Sequence, residues 1–307
     1  MNTIITTGKV FADIDALACA VAYNELLGNL GKNSSIVFEG PLNNSVTDTV
    51  KKWKYNLYPS LDTKEDYEVV VVDCSNKDVL PGFCDENNVR EVWDHRYGYA
   101  QQWEKPGTRV VIEEVGACAT LIWEEFVRTK LKSKISTVSA NLLYTAIISN
   151  TLNFRSTVTT DRDREAFEDL KSEISLPDNW IEEYYRESES GLLANIEDSI
   201  RNDTKVVDFV DKGIKITIGQ LELWNSYEFV TSHRNIVKNV LRSFGSDEWF
   251  LTAPSISENK NYIYTESDQV KSLLKKYIGA TFDSSDPDLG VTEKLWLRKE
   301  ILKKLVS

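Results

Sequence analysis

Along the first half of the chain, short apolar runs alternate with longer stretches in which apolar residues recur every three to four positions. A β-type run over 3–7 is followed by a helical pattern over 16–27. There Leu17, Cys19, Ala20, Tyr23, Leu26 and Leu27 lie mostly on one face, and Gly28 and Gly31 act as stop signals. A second strand is predicted over 35–38 and a second helix over 42–53. The run Glu68-Val69-Val70-Val71-Val72-Asp73 is the clearest strand. Its β-branched residues do not alternate with polar ones, which predicts a strand covered on both faces, as in a parallel sheet. Strands over 89–93 and 110–113 and helices over 117–130 and 138–149 continue the alternation. The pattern predicts an α/β fold built on a doubly wound, mostly parallel sheet.

Charged helices are predicted over 161–174 and 178–187. The polar stretch 186–191 reads as a domain boundary and hinge, giving a first domain over 1–187 and a second over 192–307. A chain of 307 residues also exceeds the roughly 100–200 residues of one typical domain. Beyond the boundary the pattern changes. A helix over 192–201 precedes two alternating strands over 205–209 and 214–218, joined by a tight Asp211-Lys212-Gly213 turn. A helix over 230–244, strands over 248–252 and 262–265, a helix over 267–277 and a basic helix over 295–306 complete a smaller α+β domain.

Charge narrows the function. Lys and Arg total 36 against 48 Asp and Glu, a formal net charge of −12. Such a chain has no general electrostatic affinity for nucleic acid or an anionic membrane surface. A small anion can still bind where metal ions or a few basic groups gather locally. The start MNTIITTGKVFADID lacks a basic segment followed by an apolar one, so no secretory signal is expected. Cys19, Cys74, Cys84 and Cys118 form no CxxC pair and read as free thiols of a cytoplasmic protein, with Cys19 and Cys118 in the core.

Acidic residues recur where the first-domain strands end, the place where open α/β sheets form their sites. Asp13 and Asp15 follow the first strand, Asp73 ends the strongest one, Asp94 and His95 end the next, and Asn150 ends a helix. Taken singly, an Asp after a strand is often only a helix cap. Together, hard oxygen donors with one imidazole suit Mn²⁺, Mg²⁺ or Co²⁺. His233, in Ser232-His233-Arg234, reads instead as an exposed or capping residue.

The order D-x-D, D, DH-basic, SN-T resembles the DHH phosphoesterase superfamily. Lys9-Val10-Phe11-Ala12-Asp13-Ile14-Asp15 is similar to its first motif, Val71-Val72-Asp73 to the second and Asp94-His95-Arg96 to the DHH motif itself. Gly116-Ala117-Cys118-Ala119-Thr120 resembles the family's G-A/S-x-A-T helix start. The segment 147–155 (IISNTLNFR), followed by Thr160-Asp161-Arg162-Asp163, resembles the S-D-T block and its T-x-x-D sequel. Ile218-Gly219-Gln220-Leu221-Glu222 and Leu297-Arg298-Lys299 resemble motifs of a DHHA2-type second domain.

The resemblance implies the fold of manganese-dependent inorganic pyrophosphatases and exopolyphosphatases. It implies hydrolysis of pyrophosphate or short polyphosphate by a metal-activated hydroxide. It places Asp15, Asp73, His95 and Asn150 around one cation and Asp13 with Asp73 around a second. Arg96, Arg298 and Lys299 would hold phosphate oxygens. Three positions depart from the family pattern: Lys9 stands in place of a metal-binding His, Arg96 in place of the second His of DHH, and Asn150 in place of a carboxylate. Lys9 would then meet a phosphate oxygen itself. The expected function is that of a metal-dependent phosphoric anhydride hydrolase, with a homodimer as the expected assembly. The alternative is a catalytically weakened phosphate- or nucleotide-binding protein on the same fold.

Overall fold

Five strands, β1 (Asn2–Thr6), β2 (Ser34–Ile36), β3 (Tyr67–Val72), β4 (Val89–Asp94) and β5 (Arg109–Ile112), form one parallel sheet in the order β2-β1-β3-β4-β5. The structure is a computed structural model and describes residues 2–306 except 63–65, 86, 97, 104–105 and 210–212. The chain divides into two compact units, one up to Tyr184 and one from Tyr185.

In the first unit the strand order reverses between β1 and β3. One strand leads outward to β2 and the other to β4, so the two loops diverge and leave a crevice at the carboxyl ends of the strands. Helices α1 (Ile14–Asn29) and α3 (Cys118–Arg128) pack against each other and touch strands of this sheet. Helix α1 packs most closely on α4 (Thr137–Asn150). Both α1 and α4 are buried round most of their circumference, which explains their largely apolar sequences. Val69 and Val71 join a core cluster with Leu80 and Trp103, carried by irregular segments after β3 and β4. Val70 and Val72 are also buried and point to the opposite face. The unalternating valine run is thus a strand with two covered faces.

The helix expected over 42–53 shrinks to α2 (Asp48–Lys51). The Asn43 side chain accepts hydrogen bonds from the N–H of Ser45 at 2.9 Å and its hydroxyl at 2.6 Å, and Thr47 caps the N–H of Val50. These local side-chain bonds compete with a helical backbone until Thr47 has turned the chain. Helix α5 (Asp161–Leu170) ends short of 174. Helix α6 (Trp180–Leu193) runs through the polar stretch 186–191, so the hinge expected there is regular helix. Arg, Glu and Ser are compatible with a helix, and one Gly191 near its end does not break it.

The second unit carries α7 (Ile196–Asn202), β6 (Thr204–Phe209), β7 (Ile214–Gln220), α8 (Ser226–Ser232), α9 (Arg234–Arg242), β8 (Glu248–Ser255) and β9 (Lys260–Tyr264). It ends with α10 (Asp268–Ile278), β10 (Thr281–Asp283), β11 (Asp286–Thr292) and α11 (Arg298–Val306). Its six strands run β10-β11-β9-β8-β7-β6 and are antiparallel except for the β7–β8 pair. One apolar cluster joins the sheet to Phe229, Val237 and Leu241 of α8 and α9; the other joins it to Val270, Leu274 and Ile301 of α10 and α11. The β6–β7 pairing matches the expected hairpin, while Asp211 and Lys212 of its turn lie outside the described residues.

The helix expected over 230–244 is two helices that meet at His233. There the backbone leaves helical geometry and the ring Nδ1 lies 3.1 Å from the Phe229 carbonyl. His233 is therefore a capping junction. The β10–β11 hairpin was not expected, since Leu289 and Val291 are the only alternating apolar pair in it; Pro287 within it occupies a position that neither ladder pairs. Cys19, Cys74 and Cys118 are buried, and all four cysteines are free. Among the described residues no helix is long and apolar enough to cross a membrane.

Candidate active site

The crevice between β1 and β3 collects side chains from four segments. Asp13 is the N-cap of α1 and its carboxylate accepts from the N–H of Asp15 at 3.1 Å and Ala16 at 2.9 Å. Capping therefore describes Asp13, but it also lines the cleft beside Asp73. Burial, and then the charge of Asp73, push the Asp13 carboxyl up to about 6.

Asp15 is fully buried in the first turn of α1. It accepts from the N–H of Cys118 and of Ala119, each at 2.8 Å, where the first-turn amides of α3, which have no partner within the helix, meet its charge. Asn150, at the end of α4, turns its amide nitrogen to Asp15 Oδ2 at 2.5 Å. In this arrangement Asn150 is an orienting donor to Asp15.

Asp73 follows β3 with a left-handed backbone at φ 51°, a conformation that Asp tolerates better than most residues. Its Oδ1 is buried and accepts no hydrogen bond, and its Oδ2 lies 3.3 Å from Arg96 Nη2. Asp94 builds the adjacent turn. Its carboxylate accepts from the Ser75 hydroxyl at 2.5 Å, the N–H of His95 at 2.8 Å and Arg96 Nη1 at 3.3 Å.

His95 Nδ1 lies 3.1 Å from the Val115 carbonyl, which can only accept, so Nδ1 carries the proton. Nε2 is thereby turned toward Asp73 Oδ1 at 3.4 Å and Asp15 Oδ2 at 3.9 Å. Burial opposes the charged imidazole, but the Asp73 carboxylate beside it, then the charge of Asp15, raise His95 to about 9. Burial likewise raises Asp15 and Asp73, against the lowering effect of His95 and Arg96 respectively.

One donor atom from each of Asp15, Asp73 and His95 lies within 4.8 Å of the others. Buried carboxylates that repel each other, an acceptor with no hydrogen bond and an imidazole aimed by a backbone carbonyl fit a divalent cation.

The other expected residues are distributed differently. Arg96 lines the cleft of about 340 Å³ and is exposed. Lys9 is exposed, its backbone N–H donates to the Val79 carbonyl at 2.8 Å, and it is absent from the described cleft lining. In the second unit the Arg298 guanidinium is bound to Asp203, with Nη2 2.5 Å from Oδ1, while Lys299 is exposed.

Asp163 was not singled out from sequence, although the T-x-x-D spacing and its place as third residue of a capping box were legible signals. It is fully buried and accepts from Gly116 and Ala117 N–H, the Thr120 hydroxyl and both the N–H and hydroxyl of Thr160. It thus clamps the start of α3, which in turn grips Asp15. Gly116 allows this approach: a Cβ there would lie 2.6 Å from Thr151 Cγ2 and 2.9 Å from Asp163 Oδ2.

No family model matches the chain. A protein of Clostridium acetobutylicum named as a probable manganese-dependent inorganic pyrophosphatase is 26% identical over 234 residues, covering 74% of each chain. The manganese-dependent inorganic pyrophosphatase of Methanothrix thermoacetophila is 24% identical over 284 residues, 91% of this chain and 90% of that one. Among solved structures, a Methanococcus jannaschii protein assigned to family II inorganic pyrophosphatases superposes with a TM-score of 0.63 at 22% identity. That match covers 100% of this chain and 98% of the other. The chain is thus similar over most of its length to proteins named as manganese-dependent inorganic pyrophosphatases, and it shares the fold of the solved family II structure.

Proposed function

We propose that this chain is a metal-dependent hydrolase of phosphoric anhydrides, acting on inorganic pyrophosphate or short polyphosphate. The observation that carries the reading is the convergence of Asp15, Asp73 and His95 within 4.8 Å around a buried Asp73 oxygen that accepts no hydrogen bond. The named activity of the relatives supports it.

Asp15, Asp73 and His95 would hold Mn²⁺, with Mg²⁺ or Co²⁺ as substitutes. Asp13 together with Asp73 would serve a second cation. A bound divalent cation supplies Lewis acidity toward phosphoryl oxygens and makes water nucleophilic at neutral pH. The chain's own groups do the rest. The α3 amides and Asn150 orient Asp15, and the Val115 carbonyl keeps Nε2 of His95 free. Arg96 offers a guanidinium from the cleft wall to non-bridging oxygens. Lys9, Arg298 and Lys299 are proposed as further phosphate contacts, supported by their charge and motif positions. The proposed assembly is a homodimer, which light scattering reads as about twice 35.0 kDa.

The test is phosphate release from pyrophosphate and tripolyphosphate with Mn²⁺, Mg²⁺, Co²⁺ or chelator. Release that requires the cation and is lost in His95→Ala is expected. Protein that binds Mn²⁺ and pyrophosphate but releases no phosphate would instead be the phosphate-binding form of this fold. The Asn150 amide in place of a carboxylate is the observation favouring that second reading.

A further inference from the structure

The wall of the cleft is mixed in a way that an inorganic substrate does not use. Beside Asp13, Asp73 and Arg96 it is lined by Val10, Phe11 and Tyr99. Val10 is 62% exposed and Phe11 52% exposed, two adjacent large apolar side chains left open to water on the loop that leaves β1. That loop is held in place. The N–H of Lys9 donates to the Val79 carbonyl at 2.8 Å and that of Ala12 to the Pro41 carbonyl at 2.9 Å. Gly40 sits so close beneath that a Cβ there would be 2.8 Å from the Phe11 nitrogen. The apolar wall is therefore presented by a braced segment.

Size and charge point the same way. About 340 Å³ lies in the range of pockets that take organic ligands. Among the described lining residues Arg96 supplies the cationic side chain, and its guanidinium already contacts Asp73 and Asp94. A highly charged inorganic anion would spend much of this wall against hydrocarbon. An anhydride whose second phosphate carries an aromatic group would place the terminal phosphate at Asp73 and Arg96 and the ring against Phe11.

We infer that the cleft also takes phosphoanhydrides bearing an aromatic heterocycle, nucleoside diphosphates in chemical class, with Phe11 as the stacking face and Val10 and Tyr99 as its apolar surroundings. This rests on the hydrolase reading above. In the step itself, the oxygen of water bonds to the terminal phosphorus and the bridging P–O bond breaks. The electron pair leaves on the oxygen of the nucleoside monophosphate, and the displaced proton passes to solvent or to that oxygen. Orthophosphate and the monophosphate are the products, with water as the only co-reactant.

The experiment compares kcat/KM for ADP, methyl diphosphate and inorganic pyrophosphate on Mn²⁺-loaded protein, with equilibrium dialysis of ADP and methyl diphosphate alongside. Methyl diphosphate keeps the anhydride and removes the ring. ADP is expected to exceed methyl diphosphate by about tenfold in kcat/KM and in affinity, the size of a base–aromatic stack. Phe11→Ala should bring that ratio close to one, while Phe11→Tyr should keep it. Equal handling of ADP and methyl diphosphate by the unaltered protein, or a ratio that Phe11→Ala leaves intact, overturns the inference even when pyrophosphate is hydrolysed. Tighter, Phe11-dependent binding of ADP without any phosphate release would uphold the aromatic subsite and overturn the hydrolase reading instead.

Discussion

Replacing Asp163 with Asn should cost the first unit about 2–4 kcal/mol, although Asp163 holds no cation and is nearly isosteric with its replacement. Oδ2 accepts from Gly116 N–H at 2.8 Å, Thr160 N–H at 2.8 Å and the Thr160 hydroxyl at 2.7 Å; Oδ1 accepts from Ala117 N–H at 3.3 Å and the Thr120 hydroxyl at 2.6 Å. The best placement of the amide keeps its oxygen on the three-donor side. The NH₂ then faces the Thr120 hydroxyl, which can rotate to accept, and the Ala117 N–H, which cannot. One orphaned buried N–H costs about 1–3 kcal/mol. Three bonds to a charged acceptor become bonds to a neutral one, which adds about 1 kcal/mol more.

The loss also reaches the site. Gly116, Ala117 and Thr120 bracket Cys118 and Ala119, whose N–H groups hold Asp15. Mn²⁺ affinity should fall about tenfold, the lower end for lost outer-shell support. Urea unfolding followed by tryptophan fluorescence, fitted transition by transition, gives the first quantity, and calorimetric Mn²⁺ titration gives the second. A stability loss under 1 kcal/mol with unchanged Mn²⁺ affinity would refute the view that Asp163 organises the α3 start.

Three further outcomes can be measured directly. Asp73→Asn keeps a residue that tolerates the φ of 51° and removes the shared charge. Bound Mn²⁺ by elemental analysis should drop to background while the metal-free melting temperature holds or rises, and unchanged metal content would remove the basis for the site. Asn150→Asp sets a second carboxylate against Asp15, now 2.5 Å from the amide nitrogen. The metal-free protein should melt lower and the increment on adding Mn²⁺ should grow; equal increments in both proteins would count against a cation at Asp15.

Glu125 supplies a pH dependence. Burial opposes its charge, but bonds from Arg128 and Arg109 at 2.6–2.8 Å lower its pKa from 4.5 to about 2. A lowered folded-state pKa means stabilisation that is complete above pH 4.5 and is lost as pH falls toward 2. The full gap corresponds to about 3 kcal/mol, and screening around the two exposed guanidiniums reduces it to about 1–2 kcal/mol. Glu125→Gln should therefore be less stable than the unaltered protein at pH 7 and nearly equal to it at pH 2.5. A stability difference that stays constant across that range would contradict the assignment.

Much of this protein is written in local pattern. The valine run of β3 and the largely apolar sequences of α1 and α4 announce elements covered on more than one face, because each covered face demands apolar side chains. The carboxylates and histidine at strand ends were legible for a related reason. Strand ends are identifiable along the chain, and Asp and His are costly to bury without a partner, so their recurrence there signals a site.

Tertiary structure decided the rest. Asn43 and Thr47 suppress most of a predicted helix through hydrogen bonds between side chain and backbone, and α6 continues through a polar stretch that composition alone reads as a break. The strand order that brings the Asp13–Asp15 loop beside Asp73 depends on pairings between distant segments, which no local periodicity encodes. The same holds for Asp163 gripping Gly116 across 47 positions and for Asn150 presenting its nitrogen to Asp15 across 135. Those bonds have direction as well as proximity. Sequence names the donors and acceptors, and only the folded backbone determines which atom of each faces the other.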